Sequence, residues 1–274
     1  MEFISCCRAH GVLIDIPPPI GGWRRYPTDD HPKKRNGAVK WMGDHGFVQN
    51  HAMDTEVSVW QPETPIKIDR KKIAKDLAAN EAKRRADQDD AVRRAAFIMS
   101  QTVLGKHEYL DSKGFVGSED MIWGHEGKKT LVVPMRVEGH LVGCQLIEED
   151  GSKKFLYGQR TSNAELVIDN KGVHILCEGY ATALSIKEVL VKMSRRYTIH
   201  VCFSAGNMKK IAEGLPRGLV VADNDKSGTG ERVAKEIGWP YWMSDVVGED
   251  ANDTHQRLGV LRLGLSLTKS LKLV

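Results

Sequence analysis

From Leu131 to Met243 apolar runs alternate with stretches of helical periodicity, and no other feature restricts the fold as much. Leu131–Met135 and Leu141–Ile147 read as a hairpin about Glu138-Gly139. A strand at Val173–Cys177, a helix over about Ala181–Met193 and a strand at Ile199–Phe203 follow. A short helix near Met208–Glu213, a strand at Leu219–Ala222, a helix at Gly230–Ile237 and a strand at Tyr241–Met243 complete the series. Apolar strands separated by helices are βαβ units, because parallel strands need a crossover between them and are covered on both faces. The expected class is therefore α/β, with a parallel central sheet flanked by helices. The leucine-rich end (Leu258, Leu261, Leu263, Leu265, Leu267) reads as a docking helix or strand.

The preceding sequence is of another kind. Residues 1–65 are rich in Gly, Pro, Trp and His, with turn signals at Pro17-Pro18-Pro19, Gly21-Gly22, Asn36-Gly37 and Asp44-His45-Gly46. Short strand-like pieces such as Ala38–Met42 and Phe47–Asn50 lie between them, so a small β-rich module is expected, closed by Pro62 and Pro65. Residues 66–105 read as a charge-laced connector, one long helix or a helix pair. Ile73, Leu77, Val92, Ala95, Ala96 and Met99 recur at helical spacing, Asp69 stands as N-cap and Gly105 as stop.

Among the 274 residues, 41% are apolar and 28% charged, with a formal net charge of +4, an ordinary globular balance. Charge is local: Arg24, Arg25, Lys33, Lys34, Arg35 and Lys40 crowd one stretch, as a solvated face or a phosphate-binding patch would. The five cysteines are scattered, which argues against a disulfide-stapled secreted scaffold. No early apolar run reads as a signal peptide, and none approaches the roughly 20 residues of a membrane span. A cytoplasmic location, without a membrane partner, is expected.

Ligands gather at the carboxyl ends of parallel strands. Val173–Cys177 runs into Glu178-Gly179, Leu219–Ala222 into Asp223-Asn224-Asp225, and Asp250 and Asp253 follow Tyr241–Met243. Each acid alone serves equally as a helix N-cap. Together on one sheet edge they repel one another unless a hard cation intervenes, so Mg²⁺ or Mn²⁺ is expected there.

VHILCEGYATAL (Val173–Leu184) followed by VVADNDKSGTG (Val220–Gly230) resembles the Toprim domain of primases, topoisomerases and related nucleases. EGYATALS, FSAGNMKKIA (Phe203–Ala212) and GEDANDTHQR (Gly248–Arg257) are similar to the phage and plasmid branch of DNA primases. HEYLDSKGF (His107–Phe115), LVVPMRVEGHLVGCQLI (Leu131–Ile147) and GSKKFLYG (Gly151–Gly158) resemble the subdomain preceding the Toprim sheet. The resemblance implies a primase subdomain at 106–168, a Toprim domain at 169–257 and a tail at 258–274. It implies Glu178 as a metal ligand or as base for the primer 3′-hydroxyl, Asp223 and Asp225 as metal ligands, and Asp253, with Asp250, completing the acidic edge. Lys154 and Arg136 fall where such primases meet template or nucleotide, with Lys153, Arg160, Lys226 and Asn207 as helpers.

This sequence departs from the pattern twice: Thr182 replaces an Asp four residues after Glu178, and there is no Cys-x₂-Cys zinc ribbon. Cys6, Cys7, His10, His31, His45 and His51 are irregularly spaced, and no zinc is expected. The amino-terminal stretch resembles a zinc-free β module of phage primase-like proteins. Its Trp23, Tyr26, Trp41 and Phe47 interleave with Arg24, Arg25, Lys33, Lys34 and Arg35, as stacking and phosphate contacts with DNA require, or else form the module's core. The expected activity is synthesis of short RNA primers on single-stranded DNA from ribonucleoside triphosphates, in two-metal fashion. Gly127-Lys128-Lys129 has Ile122 where a phosphate-binding loop has its first glycine, so a separate replicative helicase is the expected partner. A Toprim nuclease, or an inactive DNA-binding accessory protein, is the alternative.

Overall fold

The computed structural model describes residues 2–53, 56–64 and 69–274, so Pro65 lies outside the described residues. The chain forms two compact units, Met1–Ala86 and Asp87–Val274. In the first, α1 (Phe3–Ala9) precedes an antiparallel sheet of β1 (Arg24–Tyr26), β2 (Gly37–Trp41), β3 (Gly46–Asn50) and β4 (Ser58–Trp60), paired in that order. Phe3, Cys7, Val12, Ile14, Val39 and Val48 form its core. Gly46 has no substitute there, since a Cβ would lie 2.2 Å from the Phe3 ring.

The connector is one helix, α2 (Arg70–Ser100), and the boundary between the units falls within it. Asp69 Oδ1 accepts the N–H groups of Lys71 and Lys72, the expected cap. Gly105 is not the stop. The helix ends at Ser100, where Thr102 Oγ1 donates to the Met99 carbonyl, and Gly105 lies in β5 (Thr102–Lys106), opposite Asp120. Pairing with a partner strand overrode the local breaker signal.

The second unit contains two sheets. After β5 come α3 (Glu108–Ser112), β6 (Glu119–His125), β7 (Lys128–Val137), β8 (His140–Ile147) and β9 (Lys153–Phe155), an antiparallel meander. β7 and β8 are the expected hairpin, turning through Glu138 and Gly139 at φ 50° and 81°.

β10 (Leu166–Asp169), β11 (Val173–Cys177), α4 (Tyr180–Lys192), β12 (Tyr197–Val201), α5 (Ala205–Ala212), β13 (Leu219–Ala222), α6 (Thr229–Ile237) and β14 (Tyr241–Met243) build the other sheet. Its order is β10-β12-β11-β13-β14, parallel except for β10 at the edge. Every residue of β12 and β13 is buried, which explains why β13 reads as a continuous apolar run; β12 begins two residues before the expected Ile199 and buries Thr198 and His200 as well. α4 packs on one face, in a core continuous with Leu131, Val133 and Ile147 of the antiparallel sheet. α5 and α6 pack on the other, through Met208 and Val233. α7 (Ala251–Leu258) and α8 (Val260–Leu271) follow, and α8 buries Leu263, Leu267 and Leu271 at successive turns, so the carboxyl-terminal segment is helical.

Candidate active site

From β11 the chain passes to β12 on one side, and from β13 to β14 on the other, so the carboxyl ends of β11 and β13 border the switch-point crevice. Glu178 stands at the end of β11 and Asp223 at the end of β13. Burial raises the Glu178 pKa, and the Asp225 charge adds to it; the Ala205 backbone N–H, which Glu178 accepts, acts the other way. Asp223 is pushed up to about 7, first by burial, then by the charges of Glu178, Asp250 and Asp225, against Lys153. Its Oδ1 is buried and has no hydrogen-bond partner among the described residues. A carboxylate so placed suits a bound cation or a retained proton.

Asp225 accepts the Ser227 hydroxyl at 2.7 Å, closing the turn into α6. Gly230 lets that turn double back, because a Cβ there would stand 2.3 Å from the Asp223 carbonyl oxygen. Gly230→Ala is expected to cost roughly 1–3 kcal/mol as that carbonyl is displaced. A thermal melt equal to the wild type would show that the turn relaxes freely.

Asp250 and Asp253 divide their work. They form a reciprocal capping box at the start of α7, each carboxylate accepting the other's N–H. The second Asp250 oxygen accepts the Thr182 hydroxyl at 3.2 Å, and Asp250 is the one of the pair whose charge acts on Asp223. Asp253 faces Lys113 at 3.9 Å. The missing acid at Thr182 is thus replaced by a hydroxyl that orients Asp250. The D-x-x-D spacing was itself a capping signal. Among the described residues no three His, Cys, Asp or Glu side chains converge as a preformed metal cluster. The acids act on one another's titration without sharing a centre.

Asn224 fastens the loops. Its N–H donates to the Glu249 carbonyl at 3.1 Å and its Nδ2 to the Ser244 carbonyl at 2.9 Å. The Arg257 guanidinium, at 2.7 and 2.8 Å, is foremost in holding the Glu249 carboxyl down at about 2.

Of the expected basic residues, Lys153 is brought to the acids. Its Nζ lies 5.8 Å from the Tyr109 ring centroid, and its charge acts on Asp223. Desolvation, then Lys113, lower its pKa, against Asp250 and Asp223, although the residue is exposed overall. Lys154, the next residue on β9, points away and meets Glu148 at 3.7 Å. Arg136 donates to the Gly139 carbonyl at 3.2 Å, Arg160 to the Ser162 carbonyl at 3.1 Å, and Lys226 is exposed beyond Asp225. Asn207 is a buried brace: Nδ2 donates to the Ala164 and Cys202 carbonyls, and Oδ1 accepts from the Asn163 N–H. The sequence did not single out Tyr109, whose buried hydroxyl has no partner among the described residues, or Tyr180, which donates to Asp120 and has its pKa raised by burial and then by Asp120. Both are long-range consequences of folding, with no local signal.

In the amino-terminal unit, Arg24, Arg25, Lys33, Lys34 and Arg35 are exposed. Trp41 stacks on Phe3 at 4.8 Å and borders the module core.

Residues 173–260 match the family model described as Toprim domain. Two Escherichia coli proteins called DNA primase TraC are similar to the chain. One is 25% identical over 251 residues, 82% of this chain and 23% of the relative. The other is 24% identical over 238 residues, 78% and 16% respectively. The chain thus spans less than a quarter of either relative's length. A chain from the structure of bacteriophage T7 lagging-strand DNA polymerase interacting with primase domains of two gp4 subunits superposes with a TM-score of 0.41 and 16% identity, over 60% of this chain and 85% of that one.

Proposed function

We propose that this chain, which carries a Toprim domain and is homologous to DNA primases, synthesises short RNA primers on single-stranded DNA. The observation that carries the reading is Asp223, a half-buried carboxylate whose buried Oδ1 has no partner among the described residues, pressed by Glu178, Asp250 and Asp225 at the sheet's switch point. All the donors are hard oxygens, which fit Mg²⁺ or Mn²⁺. Glu178, Asp223, Asp225 and Asp250 would hold the ions, with Asp253 keeping Asp250 in place through the capping box. Bound divalent ions would offset the triphosphate charge and lower the pKa of the primer 3′-hydroxyl. Glu178, with its raised proton affinity, suits the removal of that hydroxyl proton. Lys153 adds a cation facing the same crevice, where incoming phosphates gather. Asn207 braces the turn before α5, whose Ala205 N–H bonds Glu178.

A separate replicative helicase is the proposed partner for unwinding. Gly127, at φ 75°, lies in the turn of the β6–β7 hairpin, whereas a phosphate-binding loop joins a strand to a helix.

The test is purified protein with single-stranded template, labelled ribonucleotides and Mg²⁺ or Mn²⁺. Short primers are expected. Nicking of supercoiled DNA without nucleotides and without primers would assign a nuclease instead, and DNA binding with neither product an accessory protein. Lys153→Ala should lower kcat/KM for nucleotide about ten- to a hundredfold, and more than Lys154→Ala. An equal or reversed order would return Lys154 to the site.

A further inference from the structure

The two faces of the amino-terminal sheet differ in kind. The registers Arg24↔Val39, Val39↔Val48, Trp41↔Gly46 and Gly46↔Trp60 place one set of side chains on the core face. The registers Arg25↔Ala38, Lys40↔Phe47 and Phe47↔Val59 place Arg25, Lys40, Phe47 and Val59 on the other. On that outward face the Trp23 and Phe47 rings are 6.2 Å apart, His45 stands edge-on to Phe47 at 5.4 Å, and Lys40 Nζ lies 5.6 Å from the Phe47 centroid. Trp23 is 46% exposed, Val59 is 56% exposed and Phe47 is half-buried, so the face is in part open to a ligand. Arg25 is exposed at one end, and exposed Lys33, Lys34 and Arg35 lie in the loop joining β1 to β2.

We infer that this outward face is a stacking platform for single-stranded nucleic acid. Flat rings spaced among cations match the two recurring parts of such a strand, bases with exposed π-faces and a phosphate at every step. A duplex hides its base faces and offers only the phosphates. The charge on this face also disfavours a cationic partner, and a second copy would set Arg25 and Lys40 against like charges. The assignment divides the cluster seen in the sequence: Trp41 and Arg24 belong to the core side, and Trp23, Phe47, Arg25 and Lys40 to the binding side. It rests on the reading of the chain as a nucleic-acid enzyme only for the origin of the strand, which would be the template.

The experiment is an anisotropy titration of the full chain with a labelled single-stranded oligothymidylate in EDTA, without nucleotides. Trp23→Ala with Phe47→Ala should weaken binding about tenfold or more, and Phe47→Trp should retain it. Arg25→Ala should weaken it more than Arg24→Ala, which removes the same charge from the other face. Unchanged affinity of a double variant that keeps its circular dichroism and melting would overturn the assignment. Equal losses for the two arginines would reduce it to general electrostatics and likewise overturn it. Altered sedimentation with unaltered oligonucleotide binding would give the face to a second copy. The titration contains neither divalent ion nor nucleotide, so failure of the wild type to make primers in the Mg²⁺ assay would count against the catalytic reading and leave this one standing.

Discussion

Glu178→Gln and Asp223→Asn should each reduce metal-dependent nucleotidyl transfer by about a hundredfold or more, the scale at which single electrostatic contributors to a preorganised site act. Both substitutions keep volume and remove charge. In Glu178→Gln the new amide oxygen would still reach the Ala205 N–H that Glu178 accepts, so the fold around α5 should persist. Asp223→Asn would leave the tight approach of Gly230 untouched, since that contact is to backbone. The loss is therefore expected in kcat with the fold retained. The double variant should lose little more than either single one, because residues acting as a unit are not additive. Primer synthesis undiminished in both single variants would sink the catalytic assignment.

The second large effect is on stability without metal. The folded-state pKa of Asp223 is about 7, against 3.8 ordinarily, so the native state binds the extra proton. Native protein then holds more protons than unfolded protein between those values, and stability falls as pH rises through that window. The penalty is absent below the unfolded pKa and complete above about 7, amounting to roughly 2–4 kcal/mol. Glu178 shifts in the same direction. A divalent cation that binds the ionised acids removes the penalty, so Mg²⁺ should raise the melting temperature more at about pH 8 than at about pH 5. Asp223→Asn should melt higher than the wild type in EDTA at neutral pH and lose most of its response to Mg²⁺. Melting independent of pH and metal, or an identical profile in the variant, would refute the assignment of Asp223 as the focus of this charge cluster.

The strands that carry the acids were the most readable part of the molecule. β11, β13 and β14 lie where their apolar runs ended, because strands covered on both faces leave an unbroken hydrophobic trace. β5, β9 and β10 left little trace. They lie at sheet edges, and their alternation carries exposed residues such as Val103, Leu104, Phe155 and Val167. A single residue of register separates Lys153 from Lys154, and pairing of β9 with Ile147 and Leu146 on β8 settles which of the two turns to the acids. Asp250 and Asp253 were both visible as acids, but their difference comes from the Thr182 hydroxyl, supplied by a helix 68 residues away.

By itself the sequence determined the order of strands and helices, the acids that end them and the mixture of rings and charges near the amino terminus. These follow from local periodicity and residue chemistry. Only the tertiary structure decided which side chains share a crevice: Lys153 and not Lys154, Asp250 before Asp253, Phe47 outward and Trp41 inward. Burial and charge–charge interaction act through space, at distances that chain order does not encode.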